Sequence, residues 1–205
     1  GTGVHDWRGL FAKNGRHPET RVDNYPEWGR RGGWSSSSGR GWANLSNAPF
    51  RMYKRYTHEG GVATPLIVHW PDGLKEQNKL RHAPGHIIDI APTCLNAAGL
   101  STKGMEGQTL LPVFTKDSTQ PRTLFWEHEG NRAVRQGDYK LVAQHNTPWE
   151  LYNMRKDRNE LHDLSQSMPQ KAAELKKLYE VWAHRVGAKP WDEVSVIRKK
   201  KPPKK

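Results

Sequence analysis

Apolar positions are spread unevenly along the chain, and their spacing changes twice. In the last third, short apolar runs at 124–127, 133–134, 140–142 and 150–152 are separated by polar breaks. The breaks are Gly130 with Asn131, then Gln136, Gly137 and Asp138, then Asn146, Thr147 and Pro148. Such runs bounded by Gly, Asn, Asp and Pro predict strands joined by tight turns, hence an antiparallel meander. The period then lengthens. Leu175, Leu178, Tyr179, Trp182 and Val186 recur three or four residues apart, which predicts a helix over 168–186 with one apolar face turned to the sheet. Ser167 and Gln170 have the spacing of a capping box, and Gly187 with Pro190 supplies the stop.

The middle of the chain follows a different pattern. Residues 65–70 read Pro-Leu-Ile-Val-His-Trp and lead into Pro71, Asp72 and Gly73. An unbroken apolar run closed by a turn predicts a strand buried on both faces. Asp89 is placed to cap a helix over 90–98, where Pro92 fits the first turn and Gly99 the stop. Strand, turn and helix together make an α/β unit. Residues 1–40 are rich in Gly, Arg, Ser and Trp, have no apolar period, and predict an irregular segment.

Composition refines this picture. Apolar residues are 34% of the 205, mean hydropathy is −0.92, and nine Trp argue against wholesale disorder. The net charge is +12, and 198–205 holds six Lys or Arg, so half the charge sits in the tail. Such a run predicts a solvated, disordered basic tail over 189–205. It also raises an alternative function, a non-catalytic polyanion-binding module. Cys94 is the single cysteine and is expected to be a buried small hydrophobe; no intramolecular disulfide is possible. No apolar stretch suits a bilayer, and no membrane or nucleic-acid partner is expected. A start at Gly1, Thr2 and Gly3 reads as a fragment or processed product.

Several chemistries find no motif here. There is no phosphate loop, no Cys-x-x-Cys, no His-Glu-x-x-His and no Gly-x-Ser-x-Gly, and the ten His have no metal-ligand spacing. The stretch 47–61 stands out instead: Asn-Ala-Pro-Phe-Arg-Met-Tyr-Lys-Arg-Tyr-Thr-His-Glu-Gly-Gly. It gathers cations just before an acid and two glycines. The glycines permit a tight backbone turn, and Lys54 is a candidate to present its ammonium to an anion.

This stretch resembles the sulfatases, which carry an Asn/Thr-x-Pro-aromatic-Arg run, a Lys, then Glu-Gly-Gly, then Pro and an apolar strand ending Trp-Pro-x-Gly. The matching positions are Asn47, Pro49, Phe50, Arg51, Lys54, Glu59, Gly60, Gly61, Pro65, Trp70, Pro71 and Gly73. The blocks at 88–99, 107–112, 126–141 and 149–152 follow in the family's order, so the resemblance runs from about 40 to 190. Trp42, Ala43 and Asn44 look most like bacterial arylsulfatases.

The resemblance implies the C-terminal part of an arylsulfatase-like, alkaline-phosphatase-like enzyme that cleaves sulfate monoesters. It implies an α/β fold in which 41–115 completes the edge of a large mixed sheet and 121–188 forms a small antiparallel sheet covered by a helix. It makes Lys54 the catalytic residue that contacts the sulfate, with His58 and His128 as candidate substrate contacts. His58 faces the pocket or packs the turn; His128 rims the pocket or is structural. Calcium and a formylglycine nucleophile belong to the whole enzyme; their motifs are not in this sequence. The chain alone is therefore expected to be inactive, with a missing N-terminal part of the same protein as its partner. The family further implies a periplasmic or secreted location.

Overall fold

The polar breaks between the apolar runs are where the chain reverses. β3 (Thr123–His128), β4 (Asn131–Gln136), β5 (Tyr139–Ala143) and β6 (Glu150–Asn153) form one sheet in sequence order, with antiparallel β4–β5 and β5–β6 ladders. All four predicted runs lie inside these strands. Gly130 and Gly137 sit at the reversals with positive φ, a conformation that costs glycine little. The computed structural model describes residues 10–12, 34–36, 39–76, 78–117 and 122–200, with side chains from 41 to 196.

Because side chains alternate along a strand, the sheet has two chemically distinct faces. One face carries Val134, Leu141 and Leu151, all fully buried. It is covered by α5 (Pro169–Val186), whose Leu175 and Tyr179 are buried against it. Phe125 stacks on Trp182 with ring centroids 5.0 Å apart. The other face carries Ala133, Lys140, Val142, Glu150 and Tyr152. Helix α5 matches the expected span within one residue and ends at Gly187 in the left-handed region. The expected capping box does not form. Met168 occupies the cap position, Pro169 opens the helix, and the Ser167 hydroxyl instead donates to the carbonyl of Leu164.

The chain divides into two compact units. One takes the described residues up to Thr64 together with those from Phe125 on; the other is Pro65–Leu124. Besides the sheet and α5, the first contains α1 (Gly39–Asn47), α2 (Glu59–Val62) and α6 (Trp191–Lys200). It also contains a short antiparallel pair, β1 (Leu10–Ala12) with β2 (Trp34–Ser36). These strands, and the first two residues of α1, fall within the 1–40 segment expected to be irregular; its other residues lie outside the described ones. Helix α6 likewise occupies part of the expected disordered tail, whose last residues, 201–205, also lie outside.

In the second unit, α3 (Ile90–Ala97) and α4 (Leu111–Lys116) pack around Pro92, Leu110 and Val113. Asp89 does not cap α3. Its backbone is already helical, and its carboxylate is turned back to accept from the amides of His86 (2.7 Å) and Gln108 (3.0 Å) and to pair with Arg122. Burial alone would raise this carboxyl, but Arg122 and the two amides outweigh it and hold it below the ordinary range. Cys94 is exposed rather than buried. It lies about 200° around α3 from buried Pro92, on the side of the helix away from that packed position.

The expected buried strand at 65–70 is not formed. Residues 63–70 carry no strand pairing among the described residues, and Leu66, Ile67 and Val68 are exposed. A strand's backbone groups need a neighbouring strand, and no described segment supplies one here. Among the described residues no helix is long and apolar enough to cross a membrane.

Candidate active site

The motif-rich stretch folds as a loop closed on itself. The amide of Gly60 donates to the carbonyl of Arg51 (2.8 Å) and that of Tyr56 to Tyr53 (3.1 Å), so α2 lies against the turn that precedes it. This packing explains the glycine pair. A Cβ on Gly60 would collide with the carbonyls of Met52 and Arg51, and one on Gly61 with those of Tyr56 and Tyr53. Neither glycine has positive φ; close backbone approach, not an unusual turn conformation, requires them. Lys54 lies on the turn inside this closed loop. It is exposed, and no hydrogen bond or ion pair engages it among the described residues.

Two ionic clusters fasten the loop to the polar face of the sheet. In the first, the Arg51 guanidinium donates to Glu150 Oε2 (2.8 Å), the Tyr152 hydroxyl (2.7 Å) and the carbonyl of Glu160 (3.2 Å). Tyr152 in turn donates to Glu150 (2.8 Å), and His58 Nε2 lies 3.2 Å from the same carboxylate oxygen. His58, Arg51 and Tyr152 together depress the Glu150 carboxyl to about 2, against the opposing effect of burial. Burial and the Glu150 charge push the Tyr152 phenol well above its usual range.

In the second cluster, Lys140 Nζ is fully buried, 3.0 Å from Glu59 Oε1 and 2.9 Å from Glu160 Oε1. Glu160 Oε2 accepts from the backbone amide of Glu59 (2.8 Å), and Arg158 Nε approaches the other Glu59 oxygen at 3.3 Å. Burial would raise Glu59, but Lys140 and Arg158 hold it below the ordinary carboxylate range. Arg158 also stacks over the Phe50 ring at 4.7 Å.

A third tie joins the loop to the β3–β4 turn. The Asn131 side-chain amide donates both to the carbonyl of Arg55 (3.0 Å) and to that of His128 (2.9 Å), while its oxygen accepts from the His145 amide (3.3 Å). Arg55 pairs with Glu129, and both have positive φ. The backbone turns carrying Lys54 and His128 are thus held by one amide group. His128 is exposed at the end of β3. His58 is not with them at the surface: its ring is fully buried against Glu150.

Sequence reasoning missed Glu150, Lys140, Glu160 and Asn131. The signal for one was present: Lys140 interrupts an otherwise apolar β5, Tyr-Lys-Leu-Val-Ala, at a position that alternation places beside buried Val142. Among the described residues no group of three or more His, Cys, Asp or Glu could hold a metal ion.

A family model described as N-sulphoglucosamine sulphohydrolase, C-terminal, matches residues 50–184. The chain is 30% identical over 158 residues to an uncharacterized sulfatase of Schizosaccharomyces pombe, covering 69% of this chain and 28% of that protein. It is 30% identical over 143 residues to arylsulfatase K of Danio rerio, covering 62% and 27%. It is 38% identical over 100 residues to N-acetylgalactosamine-6-sulfatase of Mus musculus, covering 46% and 19%. The chain thus spans between 19% and 28% of the length of these relatives. Among solved structures, Ps i-CgsB superposes with a TM-score of 0.59 at 26% identity, over 66% of this chain and 32% of that one. A second structure of that protein holds k-i-k-neocarrahexaose.

Proposed function

The chain belongs to the N-sulphoglucosamine sulphohydrolase C-terminal family, the C-terminal portion of sulfatases, and from that membership we propose that it contributes to a hydrolase of sulfate monoesters. The observation that carries the reading is the loop just described: Arg51, Arg55 and Glu59 are each paired, whereas Lys54 is exposed and engaged by no hydrogen bond or ion pair among the described residues. An ammonium held on a rigid turn can meet a sulfate oxygen and stabilise negative charge on the oxygen that departs. Preorganised donors of this kind supply about 3 kcal/mol each. His128, tied to the same amide as the Lys54 turn, is the proposed substrate contact at the rim. His58 is proposed as an anchor of the loop, since its ring is buried on Glu150.

The nucleophile motif of the resemblance does not occur in this sequence, so the proposal includes a partner: further sulfatase sequence that supplies the nucleophile and the calcium ligands. Aryl and sugar sulfates are both within the proposed substrate class, because the relatives named above include an arylsulfatase and an N-acetylgalactosamine-6-sulfatase. A location in the periplasm or outside the cell is part of the same proposal. The alternative is a non-catalytic polyanion-binding module that uses a basic surface and the Lys-rich tail; if deleting 198–205 abolishes heparin affinity, the tail alone accounts for the binding.

The test is hydrolysis of 4-nitrophenyl sulfate by the complete enzyme and by Lys54→Ala. A loss of at least about 100-fold in kcat/KM is expected, the size reported by removal of one preorganised donor. Unchanged turnover in Lys54→Ala would remove the reading's catalytic residue.

A further inference from the structure

The buried Lys140 is not accounted for by stability. Its ammonium is fully desolvated, as is Glu160, and Glu59 is nearly so. Taking three charged groups out of water costs several kcal/mol per ion, and apolar residues of the same volume hold a fold together at least as well. What a buried ionic cluster gives that an apolar one does not is a fixed register, because the charges are satisfied in only one arrangement.

The atoms that are fixed belong to the Lys54 loop. Glu59 opens α2 five residues after Lys54 and is gripped twice: by Lys140 at its carboxylate, and by Glu160 at its backbone amide. The next residue, Gly60, closes the loop onto Arg51 through its own amide. The position of Glu59 therefore sets one end of the closed segment that carries Lys54, and Arg51 on Glu150 sets the other. We infer that Lys140 is a positioning residue for catalysis: it acts through Glu59 to hold the Lys54 ammonium at its working place, without touching substrate itself. This rests on the reading of Lys54 given above.

The test is a double-mutant cycle in the complete enzyme between Lys54→Ala and the neutral triple variant K140M/E59Q/E160Q. Glutamine at 160 keeps an oxygen for the Glu59 amide, and the triple variant neutralises all three fully or nearly buried charges together; Arg158, which also loses Glu59, is largely exposed. Turnover of 4-nitrophenyl sulfate, the inhibition constant of inorganic sulfate and the unfolding midpoint are measured for all four proteins.

With Lys54 present, the triple variant should lose about tenfold in kcat and bind sulfate more weakly; with Lys54→Ala the further loss should be under about threefold. A merely structural Lys140 would give effects that multiply in both backgrounds, or a shifted midpoint with normal kinetics, and either overturns the inference. Normal turnover in Lys54→Ala alone would instead bring down the reading beneath it, which separates the two failures. If the triple variant does not fold, Lys140→Arg replaces it in the same cycle and is judged by the same criterion.

Discussion

The two faces of the four-stranded sheet are both buried, but by opposite chemistry. Toward α5 the contact is aliphatic and aromatic: Val134, Leu141 and Leu151 meet Leu175 and Tyr179. Toward the 51–62 loop it includes a lysine, an arginine, three glutamates and a tyrosine hydroxyl, joined by short bonds. The first face tolerates a range of shapes, since dispersion and the hydrophobic effect are nearly non-directional. The second tolerates one arrangement, since each charge depends on the placement of the others. The directional face lies under the residue proposed to be catalytic, and the permissive face lies under a helix with no proposed chemistry.

Substitutions separate the two faces. The largest effect is expected at Gly61→Val, where the new side chain meets backbone rather than a flexible neighbour; a loss of about 5 kcal/mol, read by urea unfolding, is predicted. Lys140→Met strands two buried carboxylates and should cost about 4 kcal/mol, more than the neutral triple variant does, although the latter changes three residues. If Lys140→Met proves the milder of the two, the polar face is held by packing and the contrast fails. On the other face, Leu175→Ala opens a cavity and should cost about 3 kcal/mol, with no dependence on pH.

The fourth prediction concerns acid. Glu150 titrates at about 2 when folded and near 4.5 otherwise, so its contribution is fully present above pH 4.5 and is lost as pH falls toward 2. Glu59 and Asp89 are displaced in the same direction. Urea midpoints measured from pH 6 to pH 3 should therefore fall, and Glu150→Gln should flatten the fall by on the order of 2 kcal/mol. An unchanged slope would show that Glu150 is not held by His58 and Arg51 as described. The smallest effect on stability, under about 0.5 kcal/mol, is expected for Lys54→Ala, because nothing among the described residues leans on that side chain.

The apolar face was legible in the sequence. Turn residues marked each reversal of the meander, and the spacing of Leu175, Tyr179 and Trp182 gave α5 within one residue. Those signals are local, and local patterns carry them fully. The polar face was not legible, because an ion pair such as Arg51 with Glu150 joins positions 99 apart, and nothing at either end names its partner. The glycine pair was visible as unusual, but the reason for it was a neighbouring backbone that the sequence does not display. Residues 65–70 failed in the reverse sense: apolar, β-branched composition reads as a strand, yet pairing is a property of two segments, and only one is among those described.

The separation between Lys140 and Glu59 also bears on the order in which the molecule assembles. The β4–β5 hairpin joins residues a few positions apart, whereas the lysine meets Glu59 across 81 and Glu160 across 20. Short-range closures are entropically cheap and fast, so hairpins and α5 should form early and the 51–62 loop should dock last. During synthesis the ribosome releases that loop well before its counter-ions exist. The turn bearing Lys54 therefore cannot be fastened to the sheet until the strands that follow it have been made.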